Sequence, residues 1–382
     1  MSHYDALETR SAEARAAAQL EALNGLLDEP LGALRDLASL PVFRKSELSE
    51  RQKAKPPFGG LVVRNASHVF QSPGPIYEPG GNSRDWWRFG RFLHALGVGA
   101  DDVVQNCFGY HLTPAGTMFE NAAHAVGAMV LPAGTGQTAL QVEAAAAVGA
   151  TVYAGTPDYL KVILEKADEM GVSLGITKAA VSGGALFPAL RDYYTGRGIT
   201  CRQCYATADL GHIAYESDAM EGMIVDEHVI VEIVTPGTGD PVPDGEVGEV
   251  LVTALNPDYP LVRFATGDMS AVMAGQSPCG RTNMRIKGWM GRADQTTKIK
   301  GMFVRPEQVA ALVNAHPEVT RARVIATRDG DADVMTVRIE SPGGDYAKSV
   351  QDVLKLKGTV EVVAPDSLPK DGVLIEDQRS YD

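Results

Sequence analysis

The alternation of helical and strand segments between residues 103 and 196 constrains the fold most strongly. Short apolar runs that end in glycine or turn residues alternate with apolar residues at helical spacing. The predicted segments are strand Val103–Phe108, helix Gly116–Val126, strand Ala128–Leu131, helix Gln137–Val148, strand Thr151–Ala154, helix Pro157–Met170, strand Ala179–Ser182 and helix Pro188–Gly196. The pattern predicts an α/β fold in which helices cover both faces of a parallel sheet.

The flanking segments follow other patterns. Ser11–Leu27 and Asp85–Leu96 are predicted as helices, the second with two adjacent tryptophans. From about residue 222 to 280, short β runs alternate with turn clusters, which predicts an antiparallel or barrel-like β subdomain. The remaining residues form a small α+β pattern, long enough to fold as a unit. We therefore expect an N-terminal domain of residues 1–292 and a C-terminal domain of residues 293–382.

The composition indicates a globular protein that binds small ligands. Of 382 residues, 45% are hydrophobic and 22% are charged, and no long apolar run suggests a membrane span. The formal net charge of -13, without clustered Lys or Arg, argues against a nucleic-acid partner. Because Met1–Arg10 is polar and unlike a signal peptide, we expect a cytoplasmic location.

Four cysteines are too few for a disulfide scaffold in a chain of this length. Cys201 and Cys204 form a CxxC pair, which is one known pattern for zinc. A structural zinc site needs four ligands, and its remaining ligands would have to come from Cys279 and a distant His212 or His228. The alternative is that the pair consists of two small residues in a strand.

The polar run Gly291–Gly301 lies where the large domain gives way to the small one. An arginine and an aspartate two residues apart, Arg292 and Asp294, can grip a nucleotide hydroxyl and carry a backbone rotation at one place. We interpret the run as a hinge, with an ordinary charged β-hairpin as the alternative.

A series of motifs resembles the phenylacetate-CoA ligase branch of the adenylate-forming enzymes, in order and spacing. They are Leu7–Ser11, Leu37–Pro41 before Lys45, Thr156–Leu160, Val247–Glu249 with Leu251–Thr253, Arg263–Asp268 and Cys279–Thr282. The resemblance implies a large adenylation domain with a small mobile C-terminal domain. It implies that ATP and Mg²⁺ activate a carboxylic acid to an acyl-adenylate, which the thiol of coenzyme A then attacks. It also suggests a homodimer.

The resemblance assigns a nucleotide site to residues at two strand ends, Gly183–Ala185 and Tyr205–Thr207. Gly183 and Gly184 let a planar base approach the backbone, Ala185 follows them, and Tyr205 offers an aromatic face, with Ala206 and Thr207 after it. The family usually has glutamate as the metal ligand where this chain has Asp209, which keeps the oxygen ligand that Mg²⁺ prefers.

Further nucleotide contacts are implied near the hinge. Asp268 is expected to accept the ribose hydroxyls, with an Asx-turn as the alternative. Arg285 or Arg292 is expected near the same sugar or the α-phosphate, because a guanidinium suits either. Asp294 matches the hinge position of the family.

The acid pocket is predicted from residues that end two strands of the sheet, where ligands bind in α/β folds. Its predicted lining is Phe108, Tyr110, His111, Pro132, Ala133 and Gly134. His111 either orients the substrate carboxylate or has a structural role. The acid itself is expected to be aromatic or small and hydroxylated.

Two departures from the family bear on catalysis. The phosphate loop, normally rich in Ser, Thr and Gly and followed by Lys, is here Gln71–Gly80, with three prolines and Glu78. Prolines remove N–H donors for phosphate, so we expect a weaker grip and a rigid, extended strip. Where the family has Gly-Lys, this chain has Gly372-Val373, so the charge that assists adenylation is missing. Lys370 either replaces it or lies in solvent.

These features lead to an acyl-CoA ligase with atypical adenylation as the main hypothesis. The alternatives are an amide- or ester-forming relative and a nucleotide- or acyl-CoA-binding protein that has lost catalysis.

Overall fold

The computed structural model describes residues 3–72, 75–184, 186–295, 297–300, 302–329, 332–369 and 373–379. The chain divides into two compact units, Met1–Thr266 with Ser270–Trp289, and Gly267–Met269 with Met290–Asp382. The division after Trp289 lies within a few residues of the predicted domain boundary. Within the described ranges, no helix is both long and apolar enough to span a membrane.

The helices follow the predicted order, except that the second one was not predicted. They are α1 (Ala12–Asn24), α2 (Lys45–Ala54), α3 (Gly90–Ala95), α4 (Ala115–Ala125), α5 (Thr138–Val148), α6 (Pro157–Met170), α7 (Pro188–Gly196), α8 (Pro306–Asn314) and α9 (Ala347–Leu354). Short 3₁₀ turns occupy Ala6–Thr9, Leu34–Ser39 and Ala293–Gln295.

The strands vary in length from two residues to ten. They are β1 (Phe43–Arg44), β2 (Ala66–Ser72), β3 (Ile76–Gly81), β4 (Val103–Asn106), β5 (Met129–Leu131), β6 (Val152–Gly155), β7 (Lys178–Val181), β8 (Thr200–Thr207), β9 (Gly211–Glu216), β10 (Met223–Val225), β11 (Val229–Val234), β12 (Gly248–Ala254), β13 (Leu261–Ser270), β14 (Val272–Met273), β15 (Arg285–Ile286), β16 (Thr297–Ile299), β17 (Met302–Val304), β18 (Arg321–Asp329), β19 (Ala332–Glu340), β20 (Thr359–Val363) and β21 (Ile375–Asp377).

The first unit is built on a nine-stranded sheet with the order β14-β15-β10-β9-β8-β7-β6-β4-β5. The strands from β8 to β5 are parallel, and those from β9 to β14 are antiparallel. The predicted α/β fold is confirmed, and its sheet is mixed because the chain reverses after β8. The carboxyl ends of β4, β5 and β7 therefore meet at one edge of the sheet. The residues predicted to contact the substrate acid and the adenine base follow these strand ends.

A second sheet of the first unit has the order β1-β13-β12-β11 and contains three strands of the predicted β subdomain, whereas β10 and β14 from the same region belong to the nine-stranded sheet. The edge strand β1 of this second sheet comes from the N-terminal segment and runs parallel to β13, with Phe43 opposite Phe264 and Arg44 opposite Ala265. This pairing carries the next residue, Lys45, into the first turn of α2.

Two segments differ from the sequence-based expectation. The predicted helix Asp85–Leu96 begins only at Gly90, because Asp85 and Arg88 have positive φ angles of 56° and 69° and interrupt the helical path. The Asp85 carboxylate instead accepts the N–H of Gly90 at 2.9 Å. The phosphate-loop segment, expected as an extended strip, contains an antiparallel hairpin in which β2 pairs with β3. Residues 73 and 74 of that segment lie outside the described residues.

The second unit contains a sheet of order β20-β19-β18-β21 with helices α8 and α9. Its core includes Val324, Val337 and Val350, which are fully buried. The run predicted as a hinge includes the antiparallel hairpin of β16 and β17, which was the alternative interpretation of its local structure. Its role as a hinge stays a prediction.

Candidate functional site

A buried asparagine at the end of β4 organises the predicted acid pocket. Asn106 is fully buried, and its amide donates to the hydroxyl of Tyr110 at 2.8 Å and to the carbonyl of Gly116 at 2.7 Å. Its backbone carbonyl accepts the N–H of Gly134 at 2.9 Å. The side chain and the backbone of this one residue thus hold together the loops after β4 and β5, which carry the predicted lining. Sequence reasoning missed Asn106, although a polar residue at the end of an apolar strand marks it.

A residue predicted to contact the adenine base lies next to a residue predicted to line the acid pocket. Gly183 follows β7 with a φ of +71°, which favours glycine. A β-carbon at Gly183 would lie 3.9 Å from Cε1 of Phe108, whose ring stacks on Phe119 with 4.4 Å between centroids. The carbonyl of Gly184 accepts from the side chain of Gln203 at 2.8 Å. Ala185 lies outside the described residues.

The hydroxyl of Tyr110 is engaged within the first unit. It donates to Oε2 of Glu120 at 2.8 Å and accepts from Asn106, and burial is the main cause that raises its pKa. His111 is exposed in the same loop, where the next residue, Leu112, accepts the N–H of Gln71 at 2.9 Å. The hairpin of β2 and β3 is therefore tied to the predicted pocket wall.

The second wall segment is held by α5. Gln141 is buried, and its amide donates to the carbonyls of Gly134 at 3.0 Å and Gly136 at 2.8 Å. Pro132 is exposed and Ala133 is half-buried. Two carbonyls of the loop after β5 accept hydrogen bonds from the buried side chain of Gln141. The backbone of this loop is therefore fixed beside the loop after β4.

Tyr205 links the end of the parallel sheet to the β subdomain. It is 8% exposed, and its hydroxyl lies 3.1 Å from Oγ1 of Thr266, whose own hydroxyl donates to the carbonyl of Val250 at 3.0 Å. The register of β8 against β9 shifts between Tyr205 and Ala206, and such a bulge re-aims a side chain. Thr207 accepts the N–H of Leu210 at 3.1 Å, which closes the turn that carries Asp209.

Asp209 pairs with a cation from the N-terminal segment. It is 4% exposed, and its Oδ2 lies 2.5 Å from Nζ of Lys45, the first residue of α2. Its Oδ1 is buried without a hydrogen-bond partner among the described residues. Lysine at the first position of a helix opposes the helix dipole, which favours anions there. The ion pair with Asp209 therefore explains why a lysine occupies this position, although the helix dipole disfavours a positive charge there.

Glu78 is a second buried carboxylate beside this pair. It lies on β3, is 1% exposed, and accepts a hydrogen bond from the hydroxyl of Ser72 across the hairpin. Burial raises the pKa of Glu78 to about 8, and the negative charge of Asp209 adds to the rise. The side chain of Gln52 on α2 bonds both the N–H and the carbonyl of Tyr77, at 2.8 and 2.7 Å. This clamp fixes Glu78 relative to the helix that carries Lys45.

The residues present fit a magnesium ion at Asp209. Mg²⁺ is typically held by one or two carboxylates together with water and substrate phosphates. Oδ1 of Asp209 is an unpaired, buried carboxylate oxygen of the required type. The described residues contain no cluster of three or more His, Cys, Asp or Glu side chains that would form a complete protein cage.

Within the second unit, Asp268 and Arg292 lie together. Nη1 of Arg292 is 3.2 Å from Oδ1 of Asp268, and the two residues form an isolated antiparallel bridge. Gly267 has a φ of +75°, and a β-carbon there would lie 2.8 Å from Nη2 of Arg292. Glycine is therefore needed for the guanidinium to lie against this backbone. The pair presents a carboxylate and a guanidinium side by side, and its contact with a ribose stays a prediction.

Other predicted residues are placed differently or not described. Arg285 lies in the first unit, where its guanidinium donates to Glu221, Ala274 and Gly275 at 2.9 to 3.2 Å. Its contact with nucleotide stays a prediction. Asp294 lies in a 3₁₀ turn, and its side chain is not among the described parts. Lys370 lies outside the described residues, as do 371 and 372.

The cysteine pair lies along β8 with its thiols in different clusters. Cys201 packs with the cluster around α6 and α7, and Cys204 packs with the main core on the opposite face. Residues three apart in a strand point to opposite faces, so the two thiols do not face a common ion. Burial raises the pKa of each to about 12. The strand interpretation of the pair is supported over the zinc interpretation.

Comparison with known proteins identifies relatives over most of the chain. No protein-family model matches it. The chain is 29% identical over 354 residues to the phenylacetate-coenzyme A ligase of Thermus thermophilus, which covers 86% of this chain and 79% of the relative. It is 26% identical over 339 residues to the phenylacetate-coenzyme A ligase of Escherichia coli, which covers 83% and 75%. The predicted resemblance to this branch is confirmed.

The fold is likewise shared with a solved CoA ligase. The structure of 2-hydroxyisobutyryl-CoA ligase, in the postadenylation state with 2-HIB-AMP, superposes with a TM-score of 0.82 at 24% identity. The match covers 99% of this chain and 94% of the other chain. This neighbour supports the two-domain α/β architecture of the adenylate-forming CoA ligases.

Proposed function

We propose that this chain, which resembles phenylacetate-CoA ligases, joins a carboxylic acid to coenzyme A through an acyl-adenylate. The observation that carries the proposal is the arrangement of Lys45 and Asp209 beside the predicted base site. Asp209, at the metal-ligand position of the family, is buried and oriented by an ion pair at 2.5 Å. A buried carboxylate held in this way is more costly than a surface acid and indicates a functional site.

In the first proposed step, an oxygen of the substrate carboxylate attacks the α-phosphorus of ATP. The bond from that phosphorus to the bridging oxygen breaks, and pyrophosphate leaves. Mg²⁺ supplies positive charge to the phosphates. Tyr205 offers its ring to adenine, and Gly183 gives the base close access to the backbone beside Phe108. The acid would then lie near Phe108 and the loop held by Asn106.

In the second proposed step, the sulfur of coenzyme A attacks the acyl carbon and AMP leaves. The thiol releases its proton to solvent, and the bond from the acyl carbon to the phosphate oxygen breaks. Asp268 and Arg292 are proposed to hold the ribose and Asp294 to act at the hinge. The substrate is proposed to be an aromatic or small hydroxylated acid. A homodimer and a cytoplasmic location remain predictions.

A second candidate function is nucleotide or acyl-CoA binding without turnover. Two residues favour it: Glu78 places a buried carboxyl group in the phosphate-loop segment, which lacks the lysine expected from the family, and Val373 stands where the family has a catalytic lysine. Loss of one transition-state charge commonly costs about 3 kcal/mol, or a factor of hundreds in rate. Retained activity is favoured instead by Lys45, which supplies a cation beside Asp209.

The test is to incubate the protein with ATP, Mg²⁺, coenzyme A and a panel of acids, and to measure pyrophosphate and thioester separately. The proposal expects both products with at least one aromatic or hydroxylated acid. Pyrophosphate without thioester, together with an amide or ester when an amine or alcohol is added, would instead identify an amide- or ester-forming enzyme. Tight nucleotide binding with no pyrophosphate from any acid would leave only the binding function.

A further inference from the structure

The segment before α3 contacts the turn that carries Asp209. This turn joins β8 to β9. The guanidinium of Arg88 donates from Nη2 to the carbonyl of Leu210, the residue after Asp209, and to the carbonyl of His212 at 3.3 Å. The backbone carbonyl of Trp87 accepts the N–H of His212 at 3.0 Å. Two consecutive residues of the segment therefore hold the far side of the turn.

Arg88 is itself held in one orientation by a buried acid. Its Nε lies 3.7 Å from Oδ1 of Asp226, and the side-chain exposures of the two residues are 12% and 0%. The N–H of Asp226 bonds to the carbonyl of Ile213 on β9 at 2.9 Å. The guanidinium is thus connected to β9 by its own hydrogen bonds and also through Asp226, so it is fixed relative to the strand that leaves the turn.

The backbone of Arg88 is strained in a way that this contact explains. Its φ of 69° lies in the left-handed region, which is unfavourable for a residue with a long side chain. A helical φ would extend α3 back towards Asp85, as the sequence pattern predicted, and would move the guanidinium away from the turn. Strained residues persist where the surrounding structure requires them, and they cluster at functional sites.

Both backbone groups of Leu210 are bonded to side chains. Its N–H donates to Oγ1 of Thr207 at 3.1 Å, and its carbonyl accepts from Arg88. Because Leu210 directly follows Asp209, these bonds fix the backbone from which the aspartate side chain projects. The Asp209 carboxylate then lies 2.5 Å from Nζ of Lys45.

We propose that Arg88 is a positioning residue for Asp209, whose carboxylate it keeps aligned with Lys45 by fixing the carbonyls of the turn. Arg88 acts through the backbone and needs no contact with a substrate. The inference rests on the proposed function only in taking Asp209 as a group that acts in the reaction.

The test is a double-mutant cycle between Arg88 and Lys45, measured by urea unfolding of the full chain without ligands. In the described part of the chain, no hydrogen bond or ion pair joins these two residues directly. Arg88→Met releases the turn, so Lys45→Met should destabilise the Arg88→Met protein less than about half as much as the wild type. A purely structural role of Arg88 elsewhere in the fold would leave the two losses additive.

Arg191→Met is the matched control for this cycle. The guanidinium of Arg191 donates to the carbonyl of Cys201 on β8 at 3.1 Å and pairs with Glu216 on β9 at 2.7 Å, so it joins the same two strands at their other end. Its loss should destabilise the fold and leave the effect of Lys45→Met unchanged.

Two further variants of Arg88 complete the design. Arg88→Lys keeps a cation and a donor, and it should restore most of the coupling with Lys45. Arg88→Gln has a shorter, neutral side chain that cannot reach both carbonyls, and it replaces Arg88→Met in the cycle if that protein does not fold. In exchange of pyrophosphate into ATP, Arg88→Met should lose about tenfold or more in rate, because a small misplacement of a reacting group slows a reaction.

Additive losses for Arg88 and Lys45 would overturn the proposal, as would a wild-type exchange rate in Arg88→Met. The unfolding cycle needs no substrate, so it is independent of the proposed reaction. Pyrophosphate release by the wild type together with additive losses would refute this inference alone. Coupled losses without pyrophosphate release from any acid would refute the proposed function alone.

Discussion

Nζ of Lys45 lies 2.5 Å from Oδ2 of Asp209, although the two residues are 164 positions apart in the chain. The ammonium group is partly accessible, and the carboxylate is fully buried, with side-chain exposures of 29% and 0%. This geometry places one charge where solvent or a ligand can reach it and the other where only the protein can compensate it. The ion pair therefore stabilises the fold and also leaves a positive charge that the phosphates of the proposed reaction can reach.

Replacement of Lys45 by Met should lower the free energy of unfolding by about 2 kcal/mol, because it leaves Asp209 buried without its counter-charge. Urea denaturation measures this change. Lys53→Met is the matched control on the same helix, since Lys53 pairs with Glu50 at an exposed site and its loss should cost less than about 0.5 kcal/mol. Equal stability of the two variants would show that the ion pair with Asp209 does not stabilise the fold.

Helical and strand periodicity predicted the alternating helices and strands between residues 103 and 196, because amphipathic patterns are local. The contact between Lys45 and Asp209 was not predictable, since it depends on β1 pairing in parallel with β13 across more than 200 residues. The burial of Glu78 likewise depends on the clamp by Gln52, which no local pattern reveals. The early start predicted for α3 failed because positive φ at two non-glycine residues has no reliable sequence signal.

The residues of the candidate site could be predicted where this chain keeps the motifs of the family, and less well where it departs from them. Asp209, Tyr205 and Asp268 were chosen by their motif positions. The structure adds the contacts made by Asp209 with Lys45 and by Asp268 with Arg292. The part played by Asn106 was missed because its contacts with Tyr110, Gly116 and Gly134 form only in the folded chain.

Asp268→Ala should weaken AMP binding by roughly 10- to 100-fold, because charge-assisted hydrogen bonds to the ribose hydroxyls contribute about 1.5 to 3 kcal/mol. Isothermal titration with AMP measures the loss. Asp244→Ala provides the control, since it removes an exposed carboxylate from a turn of the β subdomain. If both variants bind AMP as the wild type does, Asp268 does not hold the ribose.

Val373→Lys should accelerate adenylation by up to about a hundredfold, because it restores a positive charge that acts in the transition state. Formation of thioester from a supplied acyl-adenylate should not change. Pre-steady-state measurement of pyrophosphate release and of thioester formation separates the two steps. Equal acceleration of both steps would argue against a missing adenylation lysine at this position.

His212 should make the protein less stable as the pH falls below the usual histidine range. Burial lowers the pKa of His212, so the folded state keeps the ring neutral while the unfolded chain binds a proton below about pH 6.5. The unfolded state then holds more protons, and stability present above this pH is lost on acidification. The slope contributed by His212 is at most about 1.4 kcal/mol per pH unit.

Unfolding free energies between pH 5 and 8, an interval of about three units around the histidine pKa, test this expectation. His212→Phe should show a shallower decline on acidification than the wild type, because phenylalanine cannot bind a proton and packs beside Phe89 and Phe92. His124→Phe, at an exposed position on α4, should retain the wild-type slope. Parallel curves for wild type and His212→Phe would mean that another group governs the acid response.

The central claim is that this protein catalyses the attack of a carboxylate on the α-phosphate of ATP. Exchange of labelled pyrophosphate into ATP measures the reverse of this reaction directly and needs no coenzyme A. The account predicts exchange that requires a carboxylic acid and Mg²⁺ and that falls sharply in Asp209→Asn. Absence of exchange with every acid tested, or exchange that is unchanged in Asp209→Asn, would contradict it.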